Sequence, residues 1–540
     1  MMPGSPATPD HPTGRRIGYF CTGVLVSLTG GFVNGLLTAN LQQIQGSLGL
    51  TSVEAGWLTA VYSMSNVCMS LLLIKFRQQF GIQRFTRIFL AAFLLLSTAQ
   101  LFVHSFGTEL IVRAASGVVA SGLSTLGLFF FMQAMPAKWR LNGLVLGIGV
   151  SQLALPLARV ISPALLVDGN IQNLFVLELG LTLLSLAAVS LYRLPPSDRI
   201  EAFEPLDFLT FALFAPGIAL LCAVLVQGRT LWWSTPWIGW ALVAAIPLIG
   251  AAWIVEHNRA NPLLNTRWLA SGDVIRFAVV AASMRLLLSE QSFGASGLLA
   301  AVGMGQDQLV PFYAVVTGAT LLGLVISVIR LNPMELLRPV AFACGLIALA
   351  AFLDADSSNL TRPAQLYATQ AVIAFAAIYF MGPTMVGGIL QALSKGPSHI
   401  VSFSAVFGIS QQLGGIGGAA LLGTFQVARE RFHSEMLTQS LLQTDPQVAQ
   451  RLQQLGGAYA RTLGDPTLRQ GEGAVLLAQQ VSREANIMAF NDVFLLIGSL
   501  ATVALVYLGG RWIYFKVNGI NPLANELAAM AAMRDAAASA

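Results

Sequence analysis

Apolar residues dominate this chain in long blocks, and polar residues gather between the blocks. A sliding hydropathy reading finds about fourteen apolar segments, each near the 20 residues that an α-helix needs to cross a bilayer core. The first covers 17–38, the fourth 108–132, the fifth 141–167, the sixth 171–192, the ninth 277–302, the eleventh 338–354 and the twelfth 364–392. The pattern predicts an all-α polytopic membrane protein, because in hydrocarbon a helix bonds every backbone amide internally.

Within the fourth segment, Arg113, Gly117, Ser121, Ser124 and Leu128 recur at helical spacing and share one face. That face predicts contact with protein or water. Two readings of Arg113 stand side by side. It snorkels to the interface, lying about 6–9 Å in from Thr108 at 1.5 Å per residue, or it serves a transport pathway.

Basic residues sharpen the topology. With the N-terminus inside, the even-numbered connections carry Lys75, Arg77, Arg84 and Arg87, then Lys138 and Arg140, Arg193 and Arg199, Arg259, Arg267 and Arg276, Arg330 and Arg338, and Lys395. The short odd-numbered loops offer Arg229 and Arg362. This is the positive-inside bias, and it predicts cytoplasmic N and C termini. The expected organisation is a disordered cytoplasmic leader 1–16, a first bundle 17–192, two further spans 206–256, a second bundle 277–510 and a tail 511–540. The second bundle includes one long hydrophilic connection, 427–489. There Val448, Leu452, Leu455 and Tyr459 form one helical stripe and Leu477, Val481 and Met488 most of another. Asp445-Pro446 and Asp465-Pro466 supply helix starts. A helical subdomain outside the membrane is expected, acting as a lid or as a docking surface.

Composition narrows the class further. The chain has 540 residues, 55% of them hydrophobic and 10% charged, with a net charge of +5; soluble proteins carry roughly 25% charged residues. The basic residues are dispersed between apolar runs, which gives nucleic acid no footprint. Cys21, Cys68, Cys222 and Cys344 each stand alone inside a span and read as packing residues. No nucleotide loop, zinc signature or cysteine/histidine cluster is present. No enzyme, metal or cofactor is expected, and any uphill transport by this chain must draw on an ion gradient.

The intramembrane polar residues are therefore the candidate chemistry. Arg159 in the fifth segment and Glu178 in the sixth lie at depths comparable with Arg113, and the three are expected to compensate one another, as a structural network or as a site that opens. In the ninth segment Arg285 and Glu290 are five residues apart, about 140° around a helix, and face different neighbours. Glu290 is the proton-carrier candidate, with a static ion pair as the alternative. Asn34, Gln370 and Tyr379 are candidate pore-lining residues.

Several stretches resemble the major facilitator superfamily, and within it the fourteen-span multidrug efflux permeases of the EmrB/QacA type. They are ANLQQIQGSLGLTSVEAGWLTAVYSMS at 39–65, LIVRAASGVVASG with Arg113 and Gly117, NPLLNTRWLASGDVIRFAVV, QQLGGIGGAALLGTF and NDVFLLIGSL. The resemblance implies two six-helix bundles with two inserted spans and alternating access around a central site. It also implies that the first, fourth, ninth and twelfth spans line the cavity. KFRQQFGIQR keeps Gly81 and Arg84 of the family's loop motif but has Ile74 and Gln78 where a glycine and an acid are usual. GVSQLALPLARV keeps Pro156 while Leu155, Arg159 and Val160 replace glycines. The function expected is proton-coupled efflux of amphipathic or organic-acid compounds across the inner membrane, with a small-molecule substrate, protons and a periplasmic adaptor at 427–489 as partners. The alternatives are proton-coupled uptake of an anionic nutrient or chelate, or a receptor or scaffold built on a transporter fold.

Overall fold

A computed structural model describes residues 10–103, 105–136, 139–166, 169–196, 199, 201–332, 334–442, 444–521, 524 and 528. The start of the expected leader, Lys138 and most of the C-terminal tail lie outside the described residues. Described residues are helical or irregular, with no strand among them.

In chain order the helices are α1 (Thr13–Ala39), α2 (Leu41–Ser47), α3 (Ser52–Gln100), α4 (Phe106–Ala134), α5 (Arg140–Gln152), α6 (Ala154–Leu165), α7 (Gln172–Leu191), α8 (Pro205–Leu231) and α9 (Pro236–His257). They continue as α10 (Thr266–Leu269), α11 (Gly272–Leu287), α12 (Ser296–Ala301), α13 (Val310–Ile329), α14 (Leu337–Asp354), α15 (Tyr367–Lys395), α16 (Pro397–Ser440), α17 (Pro446–Gly457) and α18 (Pro466–Val517). Twelve helices among the described residues are long and apolar enough to cross a membrane. Helix α3, 49 residues long, bends at Gly81 and carries the second apolar segment, 54–74, and most of the third, 88–104. The ninth segment is α11 and α12 joined by a π-helical turn over Glu290–Ala295. Every apolar segment of the sequence thus lies wholly or mostly in helix.

Local sequence sets the helix ends. Thr51 and Glu54 cap α3 reciprocally, and Ser105 with Thr108 does the same for α4. Proline opens α8, α9, α16, α17 and α18, where a first-turn amide has no partner to lose. The helix at Thr13 starts inside the leader expected to be disordered through residue 16; it opens after Pro12 and runs one turn ahead of the apolar block that begins at Ile17. Pro156 stands in the first turn of α6, and the break at Leu153 places its missing N–H where a helix start bonds none.

The bend at Gly81 has φ 76° and ψ 158°, a region open almost only to glycine. Gly81→Ala is expected to cost about 1–3 kcal/mol, read as a lowered unfolding temperature of the purified protein in detergent. An unfolding temperature equal to the native one would show that the bend relaxes.

Without a hydrophobic drive in lipid, helices associate through close packing of small residues. A Cβ at Gly117 would sit 2.1 Å from Ser65 Oγ and 2.4 Å from Tyr62 O, so α4 crosses α3 with backbones nearly touching. One group of helices packs α1, α3, α4, α6 and α7 together; the other packs α11, α13, α14, α15, α16 and α18. The inserted pair α8 and α9 rests on α3 and α16. Trp240, Val243, Ile246 and Ile254 of α9 face outward, as lipid contact requires.

The two groups touch at both ends. At the end that carries the basic loops, Asn142 Nδ2 donates to Val328 O at 2.6 Å, and Leu144 with Leu128 and Met132 packs on Met385, Ile389, Phe403 and Phe407. At the other end Gln306 Nε2 donates to Ala39 O at 3.0 Å and Gln43 Oε1 at 3.2 Å. Beyond this end α16 and α18 run on as a helical pair, tied by Arg429 and His433 on Asp492, each at 2.6 Å. Helix α17 crosses α18 where Gly456 meets Gly473. Val448, Leu452, Leu455 and Tyr459 are half-buried in that crossing, whereas Met488 is exposed because the extended α18 turns it away.

Candidate functional site

The polar residues of the spans sort into three buried groups, and the partners differ from those the sequence suggested. Arg113 is 2% exposed, and its Nε meets Glu109 Oε1 at 3.0 Å one helical turn earlier. Its Nη1 donates to Val33 O of α1 at 2.7 Å. Gln100, the last residue of α3, gives Nε2 to both Glu109 oxygens at 3.0 and 2.7 Å. Arg113 is therefore a buried, paired cation and does not snorkel. Glu178 of α7 is buried within electrostatic reach of Arg113 and Glu109.

Arg159 does not join them. It turns to the second bundle, where it bonds Ser296 Oγ at 2.9 Å and Tyr313 Oη, and its guanidinium lies 4.7 Å from the centre of the Tyr313 ring. The expected three-residue network is thus an Arg113–Glu109 pair near Glu178, with Arg159 acting separately as a bridge between bundles. Depth along the span placed Arg159 level with Arg113, but its helix α6 packs on α13 and not on α4.

The second buried group lies in α11–α12, α14 and α15. Gln370 Nε2 donates to Glu290 Oε1 and to Asp354 Oδ2, both at 2.8 Å, so the two hydrogens of one amide hold two carboxylates. Glu290 and Asp354 are 0% and 2% exposed, and Glu290 Oε2 is buried with no hydrogen-bond partner. Gln291 Nε2 donates to Gln370 O at 3.0 Å. Glu290 opens the π-helical turn, a feature that concentrates at functional sites because it shifts the helix face by one residue. Arg285 points elsewhere, along Gly414 and Gly415 of α16.

The remaining candidates scatter. Asn34 is half-buried and accepts from Thr38 of its own helix at 3.3 Å. Tyr379 stacks on Phe375 at 5.4 Å and meets the outward-facing Phe342 at 6.1 Å, which places it in an outer ring cluster and not on a pore. Gly81 makes the bend and Arg84 is exposed beside it; Gly117 and Pro156 act on the backbone as described. Cys68, Cys222 and Cys344 are buried packing residues, while Cys21 is exposed.

A third group sits at the end with the basic loops. Lys75 of α3 reaches both Asp207 oxygens at 2.9 and 2.8 Å. Arg259 binds Asp207, Glu256 and Glu204 at 2.9, 2.6 and 2.9 Å. The Arg259 guanidinium holds the Glu204 carboxyl below the usual carboxylate range, with Asn261 adding a bond. These contacts lock the inserted α8–α9 pair to α3. Sequence reading missed Glu109, Asp354 and Asp207, all at span ends where a charge passes for an interfacial one. Among the described residues no group of His, Cys, Asp and Glu could hold a metal ion.

No protein-family model matches the chain. A major facilitator superfamily multidrug transporter of Aspergillus fumigatus, mfsC, is 25% identical over 239 residues, 44% of this chain and 45% of that protein. The chain thus matches about half the length of this curated relative. Among solved structures, the human organic anion transporter MFSD10 (TETRAN) superposes with a TM-score of 0.54 at 14% identity, covering 91% of this chain and 100% of that one. The proton:xylose symporter XylE superposes with a TM-score of 0.50 at 12% identity, covering 90% and 95%. The fold defines a multi-pass, all-α membrane protein of the major facilitator type. The sequence likeness to a transporter of that superfamily covers 44% of this chain.

Proposed function

We propose that the chain is a proton-coupled secondary transporter of the major facilitator class that moves amphipathic or organic-acid compounds outward across the inner membrane. One observation carries the coupling: Glu290 and Asp354, from separate helices, share the amide of Gln370 inside the second bundle. Two carboxylates so held repel one another at low dielectric, and one proton between them relieves the repulsion. Loading or releasing that proton changes the charge of a site at a π-helical turn between helices that must move. The multidrug activity of the fungal relative agrees with export.

Purified protein in vesicles that enclose a pH dye tests this. Adding 2-naphthoate or a neutral amphipath is expected to drive a proton flux that protein-free vesicles lack. Movement of these compounds with no proton flux would sink the coupling. Opposing orientations of the pH gradient separate export from uptake of an anionic nutrient.

For the projecting segment 427–489, the same reading assigns contact with a periplasmic adaptor. Replacing 441–465 by a short Gly-Ser link is expected to abolish efflux from cells while leaving transport in vesicles intact. Unchanged efflux from cells would refute the adaptor.

A further inference from the structure

Half-buried Arg285 differs from Arg113, Arg159 and Arg259. Arg113 and Arg259 are each held by carboxylates, and Arg159 by hydroxyls. The Arg285 side chain has no hydrogen bond or ion pair with any described residue, and its Nε is buried without a partner. Its side chain lies along bare backbone of α16: a Cβ at Gly414 would stand 3.0 Å from Arg285 Cβ, and one at Gly415 would stand 3.2 Å from Nε and 3.6 Å from Nη2. The two glycines therefore let the guanidinium pack directly on the α16 backbone, with no side chain there to bond its Nε. One turn earlier on the same face of α16, Gln411 Nε2 is likewise buried with no partner. Glu290, the nearest acid along the helix, is bonded by Gln370 in the other direction.

Gln411 lies beside the boundary between the two bundles. The residue next to Gln411, Gln412, donates to Asn66 Oδ1 of α3 at 3.2 Å, across the boundary between the two bundles. Unmet N–H donors and an unbalanced positive charge at that boundary are destabilising unless an anion answers them. A planar guanidinium matches the two oxygens of a carboxylate or sulfonate.

We propose that Arg285 and Gln411 form the head-group site for an organic anion, a carboxylate or sulfonate, so that the transported compounds are anionic. The proposal rests on the transport reading above and names its substrate class. The glycines at 414 and 415 place no side-chain acceptor against the guanidinium, and Gln411 adds a neutral donor. Protonation of the Glu290–Asp354 pair and anion binding at Arg285 then bear on opposite faces of the same broken helix, α11–α12.

Equilibrium dialysis of the full chain in detergent tests the site with four probes that share one apolar body: 2-naphthoate, naphthalene-2-sulfonate, 2-naphthol and 2-naphthylmethylammonium. The two anions are expected to bind saturably and at least about tenfold more tightly than the neutral and cationic probes, a difference of about 1.4 kcal/mol. Arg285→Gln is expected to remove that preference and leave 2-naphthol binding unchanged; Arg285→Lys should restore part of it. If Arg285→Gln does not fold, Gln411→Leu serves, with a weaker loss of anion preference. Equal binding of the cationic probe to the native protein overturns the proposal. So does an anion preference that survives Arg285→Gln. Competition by chloride that abolishes binding of both organic anions, with gluconate inert, would assign the site to an inorganic ion instead. Dialysis involves no proton movement, so its outcome stands apart from whether Glu290 couples transport.

Discussion

Glu290→Gln is expected to reduce proton-driven accumulation in vesicles to the level of protein-free membranes, while exchange of labelled for unlabelled compound across the same vesicles continues. The substitution keeps the shape and keeps an acceptor for Gln370 Nε2 at Oε1, so the three-helix contact survives. What it removes is the capacity of the shared site to gain and lose a proton. Asp354→Asn leaves Glu290 titratable on the same amide and is expected to retain coupled transport with an altered pH profile. The comparison separates a coupling site from a structural one, since a merely structural pair would respond to both substitutions alike and in both assays. Full proton-driven accumulation by a well-folded Glu290→Gln protein would end the coupling assignment.

The second large effect concerns Arg113, and it falls on stability. Arg113→Ala removes the cation that faces Glu109 in a site where both side chains are almost fully enclosed. It also strips a donor from Val33 O. Breaking one side of a buried ion pair costs about 3–5 kcal/mol, because the other charge stays behind without its partner. Gln100 still holds the Glu109 carboxylate, which softens the loss but does not neutralise it. A lower unfolding temperature and a lower yield of folded protein are expected. The double substitution Glu109→Gln with Arg113→Met should recover part of the loss, since neither member of the pair is then left charged without the other, while Glu178 still loses the cation beside it. Normal stability of Arg113→Ala, with transport alone impaired, would return Arg113 to the pathway role that its family motif suggests.

These two residues show how far the chain could be read before folding. Arg113 was visible as a charge in an apolar block, on a face with Gly117, and the structure puts that face against α3 and α1. Its partner escaped notice because Glu109 stands at the edge of the span, where composition cannot tell a buried carboxylate from an interfacial one. Asp354 was overlooked for the same reason, as the last residue of α14. The separation of Arg285 from Glu290 was legible, since five residues turn a helix by about 140°. That Glu290 would find Asp354 through Gln370 was not, because three helices must come together to make the contact. Tyr379 failed differently. Its neighbours Phe342 and Phe375 turn it to the outer surface, and an aromatic residue in a span has no period of its own that would reveal this.

By itself the sequence determined that the chain is a bundle of membrane-spanning helices and where those helices lie. Hydrocarbon forces backbone groups to bond within each segment, so length and apolarity suffice to place a span. The tertiary structure alone decided which charge answers which. Gln370 and Glu290 are 80 residues apart in the chain, and Arg159 and Tyr313 are 154 apart. Periodicity assigns a side chain to a face of its own helix. The neighbour on that face is chosen by how close the helices can approach, and that is set by glycines such as Gly117, Gly414 and Gly415 meeting bare backbone and side chains of other spans.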